Sequence, residues 1–151
     1  MDNISAVLEI AGADAFAAAI SYAASHPHTT MLPTYVHTGT EYGDFNIVES
    51  HVDQLKNDLK ERFDVRLFDL TVSADTSLWH AINGRFMTAI RERFGFFSPC
   101  IGCHLYLHLM RIPEALRCDC GVVVAGERTK HDSGNKINQR VRTKFPKYAA
   151  S

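Results

Sequence analysis

The sequence lacks the features that direct a chain into a membrane or a secretory route. No apolar run approaches the roughly 20 residues that a membrane-spanning helix needs. The opening segment MDNISAVLEIAGADAF contains no basic residue, so it makes a poor signal peptide. Cysteine is scarce, with four among 151 residues. Without a secretory signal these cysteines favour a reducing compartment, where they bind metal or carry out redox chemistry more often than they form disulfides. We therefore expect a cytoplasmic protein that does not engage a membrane.

Internal repeats and low-complexity segments are also absent. A chain of 151 residues is long enough for one compact domain with one core. Its hydrophobic content of 46% and charged content of 22% are ordinary for a globular protein. We assign residues 1–139 to one domain and residues 140–151 to a basic tail. The tail either contacts RNA phosphates or has no fixed structure.

Charge is unevenly distributed along the chain. Residues 1–75 hold twelve acidic and four basic side chains, a net charge of -8, whereas residues 76–151 hold five acidic and twelve basic ones, a net charge of +7. A basic half suits a polyanion such as a nucleotide or RNA. The asymmetry is equally explained if the two halves face each other, or face partners in an oligomer. Together with the short chain, it leads us to expect a homodimer.

The pattern of apolar residues predicts strands that alternate with helices. Short runs rich in β-branched residues are typical of buried strands, and apolar residues spaced three and four apart indicate amphipathic helices. The predicted strands are Ile4–Ile10, Thr34–His37, Val65–Val72 and Gly121–Ala125. The predicted helices are Asp14–Ala24, Asn46–Arg62, Leu78–Phe94 and Cys100–Leu116.

This alternation predicts an α/β fold, a three-layer sandwich with helices on both faces of a mainly parallel, Rossmann-like sheet. Ligands of such folds bind at the carboxyl ends of the strands. Three glycine-containing loops directly follow predicted strands, at Ala11–Asp14, Thr38–Asp44 and Gly126–Asn138. We therefore expect these loops to converge on one edge of the sheet and to form the ligand site there.

The first loop joins a predicted strand to the start of a helix. Backbone N–H groups at a helix N-terminus bind phosphate, and Gly12 lets the backbone approach a ligand closely. An acid at Asp14 suits Mg²⁺. The same residues are explained without a ligand if Gly12 only makes the turn and Asp14 caps the helix.

The other two loops carry polar and charged side chains. In the second, Gly39, Thr40 and Glu41 form a candidate ligand-binding turn, in which Glu41 contacts a ribose hydroxyl or a metal-bound water. The third loop is basic, and Arg and Lys are the natural partners of a polyphosphate. Its candidate residues are Gly126, Glu127, Arg128, Lys130 and Lys136. Both loops are equally well explained as a solvated turn and a flexible basic loop.

The strongest local motif is CxxCHxxxH, formed by Cys100, Cys103, His104 and His108. This spacing places the four side chains on one face of a helix. Thiolates and imidazoles suit zinc or an iron–sulfur cluster, and the presence of two histidines favours zinc. In the alternative interpretation, Cys103 belongs to the core and the two histidines lie on the surface.

A second cysteine pair, Cys118 and Cys120, follows within the same segment, residues 98–120. Four ligands on one straight helix are geometrically awkward for a single ion. We therefore expect Cys118 or Cys120 to complete the site.

The order of these loops resembles that of the PP-loop ATP pyrophosphatases, the adenine nucleotide alpha-hydrolase-like superfamily. The resemblance runs over roughly residues 4–139 through AGADAFAAA, TGTEYGD, the CxxC helix and AGERTKHDSGNKINQ. The family's signature loop is usually SGGxDS. Gly12 and Asp14 match it, while Ala11, Ala13 and Ala15 stand in place of its first serine, second glycine and last serine.

The resemblance implies a fold of the HUP type and a definite reaction. Members of the family cleave ATP between its α and β phosphates, adenylate a substrate oxygen and let a nucleophile displace AMP. They include tRNA thiolation enzymes, amide-forming synthetases and deazapurine nitrile synthetases. By this resemblance the ATP phosphates lie at Gly12–Asp14, Mg²⁺ lies near Asp14, and Arg128 and Lys130 neutralise the pyrophosphate.

Some thiolation members carry a CxxC pair with a further cysteine, and Cys100, Cys103 and one of Cys118 or Cys120 resemble that set. The substrate expected from the resemblance is tRNA or another molecule that contains a nucleobase. A different class of function also fits the sequence. In it the chain binds adenine nucleotide or RNA without turnover, and a structural metal holds its helices together.

Overall fold

The computed structural model describes residues 3–41, 43–96 and 99–126, with the backbone alone described for residues 99–101. Within these ranges no helix is long and apolar enough to cross a bilayer. The strands are β1 (Ala6–Glu9), β2 (Thr30–His37), β3 (Arg66–Leu67), β4 (Thr71–Ala74) and β5 (Val123–Val124). The helices are α1 (Ala13–Ser25), α2 (Phe45–Phe63), α3 (Thr76–His80), α4 (Met87–Phe94) and α5 (Pro99–Arg117), with a π-helical turn at Ala81–Arg85.

The strands form one sheet in which every described pair is parallel. Its order is β3-β2-β1-β5, and β4 pairs with β2 beyond the end of β3. Helices connect β1 to β2, β2 to β3 and β4 to β5, as parallel pairing requires, whereas β3 and β4 follow each other directly along the same edge of β2. The α/β fold with a parallel Rossmann-like sheet, predicted from the alternating pattern, is confirmed.

The third predicted strand, Val65–Val72, is divided into β3 and β4. Leu67 pairs with Met31 of β2, and Thr71 pairs with Thr34, so this edge carries one more residue than β2 between the two pairings. The Met31 carbonyl accepts the Phe68 N–H at 2.9 Å, which shows that alternate residues of β2 face this edge. Position 33 therefore faces it too, and because Pro33 has no N–H the ladder is interrupted there.

The two faces of the sheet are covered by different helices. On one face Leu8 and Met31 pack with side chains of α1 and α2, among them Ala19 and Leu59. On the opposite face Val7 packs against Ala115 and Cys120, which belong to α5 and to the turn that follows it. The layers are therefore α1 and α2, the sheet, and α5, because successive residues of a strand point to opposite faces.

The predicted continuous helix Leu78–Phe94 is interrupted. Asp75 caps α3 by accepting the Leu78 N–H at 2.9 Å, and the chain widens into the π-helical turn before α4 begins. Gly102 of α5 lies against this turn, since a Cβ there would fall 2.0 Å from Asn83 Oδ1. A tertiary contact thus accompanies the irregularity, and apolar spacing carries no information about that contact.

Candidate functional site

The candidate site lies at the carboxyl edge of the sheet, between the ends of β1 and β5. These two strands are neighbours, but α1 follows β1 on one face and α5 precedes β5 on the other. A parallel sheet opens a crevice where its connections change faces in this way. The first and third predicted loops begin at this crevice, after Glu9 and Val124 respectively. The second begins one strand away, after His37.

Gly12 makes the turn from β1 into α1. Its φ of 128° and ψ of -168° lie in a region that side-chain-bearing residues rarely adopt. The N-cap residue Gly12 has no side chain with which to cap α1, and its carbonyl accepts the N–H groups of Ala15 at 3.1 Å and Phe16 at 3.2 Å. Asp14 lies in the first turn and is not the cap. The helix therefore presents a backbone N-terminus, with its partial positive charge, to the crevice.

Gly126 approaches this helix N-terminus from the end of β5. A Cβ on Gly126 would lie 2.4 Å from Ala15 N and 2.7 Å from the carbonyl carbon of Asp14. Both are backbone atoms, so a side chain at this position would force the backbone to move. The loops that follow β1 and β5 therefore meet at Gly126, as expected from the parallel topology.

Beneath this contact lies a buried ion pair that sequence reasoning missed. Glu9, the last residue of β1, is 6% exposed, and Arg111 of α5 is fully buried. Arg111 Nη1 lies 3.4 Å from Glu9 Oε1, and Glu9 Oε2 accepts the Gly126 N–H at 2.9 Å. Burial lowers the pKa of the Arg111 guanidinium, and the Glu9 carboxylate acts against this by favouring the charged form.

Further hydrogen bonds tie Arg111 to the sheet and to its own helix. Its Nε donates to Thr34 Oγ1 at 3.2 Å, and its Nη1 donates to the Leu107 carbonyl at 2.7 Å. Thr34 Oγ1 in turn donates to the Leu8 carbonyl at 2.7 Å. Nη2 has no hydrogen-bond partner in the part of the chain that the structure describes. A buried polar group left in this state costs about 1–3 kcal/mol, and more when it is charged.

A sequence signal for this pair exists in hindsight. Glu9 is a charged residue within an apolar strand, and Arg111 is the one Lys, Arg, Asp or Glu between positions 100 and 113. Charged side chains are almost never fully buried unless they are paired. Two oppositely charged residues in predicted core elements therefore indicate that they pair with each other.

The second loop is organised by its own carboxylate. Glu41 accepts hydrogen bonds from the Thr38 N–H, from the Thr38 hydroxyl at 2.9 Å and from the Gly39 N–H at 2.8 Å. His37 Nδ1 lies 3.8 Å from Glu41 Oε2. Partial burial raises the pKa of Glu41, but these hydrogen bonds outweigh it, so the pKa is lower than usual. Thr40 contributes its hydroxyl to the same turn, 2.7 Å from that of Thr38.

Tyr106 joins α5 to the carboxyl ends of β2 and β4. The residue is fully buried, and its ring packs edge-on against Trp79 with centroids 5.2 Å apart. Its hydroxyl accepts the Asp75 N–H at 2.8 Å and donates to the His37 carbonyl at 3.0 Å. The N-terminal part of α5 is thereby fixed at the same edge as the loops.

The cysteines and histidines of α5 do not all come together. Cys103 is half-buried and His104 exposed near the start of α5, with His108 half-buried one turn further on. Cys118 follows the end of the helix, 15 residues after Cys103, which is about 22 Å along the axis. This separation corrects the expectation that Cys118 or Cys120 completes the site, because zinc–sulfur bonds are about 2.3 Å long.

Cys118 and Cys120 lie instead in the cluster around Val7, before the start of β5, whereas the loops follow the carboxyl ends of the strands. Within the described ranges, no three His, Cys, Asp or Glu side chains are grouped to hold a metal ion. The predicted residues Glu127, Arg128, Lys130 and Lys136, the tail 140–151 and the side chain of Cys100 lie outside what the structure describes.

The fold and this edge define the chain as a parallel α/β domain with its candidate site at a switch between strands. No family model matches the chain, and no solved structure matches it. The chain is similar to an uncharacterized protein of Methanocaldococcus jannaschii, with 37% identity over 135 residues. The match covers 89% of this chain and 48% of that protein, so the chain spans about half the length of the curated relative it matches.

Proposed function

We propose that the protein binds ATP at the carboxyl edge of its sheet and is a PP-loop-type enzyme that adenylates a substrate with release of pyrophosphate. The observation that carries this proposal is the turn at Gly12. Its glycine-specific backbone leads directly into α1, and Gly12, as the N-cap residue, has no side chain of its own to cap the helix. Backbone amides and a helix dipole in this arrangement suit a phosphate group.

The neighbouring residues support the same ligand. Asp14 stands in the first turn of α1, where it would hold Mg²⁺, which supplies charge neutralisation to the phosphates when bound. Arg128 and Lys130 follow Gly126 by two and four residues. Gly126 lies against the N-terminus of α1, which supports an assignment of the residues after it to the same ligand. We assign these two cations to the charge that develops on the leaving pyrophosphate.

The alanines in the first loop shape the expected affinity. Ala11 and Ala15 replace hydroxyl-bearing residues of the PP-loop signature. A hydrogen bond lost in this way costs about 0.5–1.5 kcal/mol, or about 1.5–3 kcal/mol when the acceptor is charged. Binding is then weaker than in a loop with both hydroxyls, but the backbone contacts remain.

We further propose a substrate of the tRNA or nucleobase class, modified by thiolation or a related reaction. Its support is the CxxC pair on α5, the helix whose N-terminal part lies at the same edge through Tyr106. Zinc or an iron–sulfur cluster at Cys100, Cys103, His104 and His108 remains a prediction. Metal analysis and the visible spectrum of anaerobically purified protein test it. Iron indicates a cluster, and stoichiometric zinc without colour indicates a zinc site. Protein that contains neither iron nor zinc would refute the prediction.

A second candidate function is binding without turnover. The alanines at positions 11, 13 and 15 favour it, since they remove side chains on which the PP-loop signature depends. In this alternative the chain holds adenine nucleotide or RNA in the same crevice.

Release of AMP and pyrophosphate separates these functions. The purified chain is incubated with Mg²⁺ and ATP labelled at the α phosphate, with and without bulk tRNA. Release above background supports the enzyme, whereas nucleotide binding without release supports the alternative. If the chain neither binds nucleotide nor releases AMP, both functions are refuted.

Asp14→Ala should abolish release, and Asp53→Asn is the matched control because Asp53 is an exposed carboxylate on α2. Unchanged release in Asp14→Ala would remove Asp14 from the mechanism. Equal loss in both variants would indicate a general effect of charge.

A further inference from the structure

We infer that Glu9 and Arg111 are positioning residues that hold the Gly126 backbone against the N-terminus of α1 and so shape the nucleotide site. This inference rests on the proposed function for its effect on ligand affinity. Neither side chain is expected to touch ligand, because both are buried beneath the crevice. They act through the backbone of the loop that follows β5.

The first argument is that the two oxygens of the Glu9 carboxylate contact different partners. One oxygen faces Arg111 Nη1 at 3.4 Å, and the other accepts the Gly126 N–H at 2.9 Å. Arg–carboxylate pairs are frequently bidentate, with both oxygens on the guanidinium. Here one oxygen is used to hold a loop backbone.

The second argument is that Gly126 is held from two sides. Its N–H binds Glu9, which lies on the α5 face, and its Cα meets the first turn of α1, where a Cβ would overlap Ala15 N. A backbone atom held in this way has little freedom to shift. Gly126 is therefore fixed at the N-terminus of α1, where we propose that phosphate binds.

The third argument is the incomplete satisfaction of Arg111. Nη2 lacks a hydrogen-bond partner within the described ranges, although the residue is fully buried. Replacing a buried ion pair with apolar residues of similar size is often neutral or stabilising. Stability alone therefore does not explain this pair, whereas holding Gly126 does.

The experiment separates stability from positioning in the full chain. In the double variant E9L/R111M, apolar side chains replace both charges, so the thermal midpoint should stay near that of the unsubstituted protein. The dissociation constant for Mg²⁺–ATP should rise at least tenfold, and amide exchange at Gly126, followed by NMR, should accelerate. Val52→Ala is the opposite control: Val52 is buried on the α2 side, so stability should fall while ATP affinity stays within twofold.

A folded double variant with unchanged ATP affinity and unchanged Gly126 exchange would overturn the inference. If the double variant does not fold, Glu9→Gln provides the test, because it keeps the shape but leaves one acceptor oxygen, which cannot face Arg111 Nη1 and accept the Gly126 N–H at the same time. Weaker ATP binding with faster Gly126 exchange then supports positioning, and no change in either contradicts it. If the unsubstituted protein binds no ATP, the proposed function fails, and Gly126 exchange alone decides the inference by the same criteria.

Discussion

Gly126→Ala probes the contact between the end of β5 and the start of α1. The new Cβ would lie 2.4 Å from Ala15 N and 2.8 Å from Ala15 Cα. Both atoms belong to the backbone of a helix turn, so no side-chain rotation relieves the overlap, and α1 or the strand end must move. Overpacking of this kind costs about 1–3 kcal/mol. For a chain of this length we expect the thermal midpoint to fall by roughly 2–12 °C.

The chain offers a matched control five residues earlier. Gly121 precedes β5 and is exposed, and a Cβ added there would have no atom within 4 Å. Gly121→Ala should therefore change stability by no more than about 0.5 kcal/mol. Urea unfolding followed by circular dichroism gives the free energy of unfolding of both variants from the midpoint and slope.

The two variants together test the geometry of the crevice. If Gly126→Ala unfolds at the same midpoint and slope as the unsubstituted protein, the loops after β1 and β5 do not meet as described. The loop after β5 would then no longer be assigned to the site. If both glycine variants lose equal stability, the cost comes from the loss of glycine itself and not from the contact with α1.

Three further predictions concern the same edge. Gly12→Ala should lower the free energy of unfolding by about 1–3 kcal/mol through backbone strain, because φ is 128° at Gly12 and no atom of the described residues lies within 4 Å of the added Cβ; urea unfolding that matches the unsubstituted protein would refute this. The pKa of Glu41 is lowered in the folded state, so its stabilising effect is present above its ordinary pKa and lost as the pH falls through the folded-state value. Glu41→Gln should thus destabilise the protein at neutral pH, and the difference in paired urea titrations should disappear once the pH falls below the folded-state pKa of Glu41; a difference that persists in strong acid would contradict the hydrogen bonds. Tyr106→Phe removes the hydroxyl that binds Asp75 N–H and the His37 carbonyl, and should cost about 1–3 kcal/mol without changing the circular dichroism spectrum; full stability would show that the hydroxyl is not needed there.

Helix positions follow closely from local pattern where a single face is buried, whereas β2 begins at Thr30, four residues before the predicted start at Thr34. The predicted helix Asn46–Arg62 agrees with α2 to within one residue at each end. Asp44 caps the start of α2 by accepting the Asn46 N–H, and Asp64 ends the helix in a left-handed conformation. Such caps act within a few residues and leave a signal in the sequence. The helix Leu78–Phe94 is predicted less well, since its interruption accompanies contact with α5.

Some features of the candidate site are likewise predictable from the sequence, and others are not. Gly12 and Gly126 are identified from their places after predicted strands, and parallel topology requires their loops to share an edge. By contrast, the separation of Cys118 from Cys103 follows from the continuous length of α5, which the cysteine spacing alone does not show.

The sequence alone determined the layered α/β fold, because alternation of strands and helices leaves few ways to bury apolar faces. It also determined which loops gather at the carboxyl edge. Only the tertiary structure decided that Glu9 and Arg111 meet across 102 positions and hold Gly126 on α1. The reason is physical: hydrophobic periodicity reports which face of each element is buried, whereas a polar pair inside the core depends on how those elements are placed against one another.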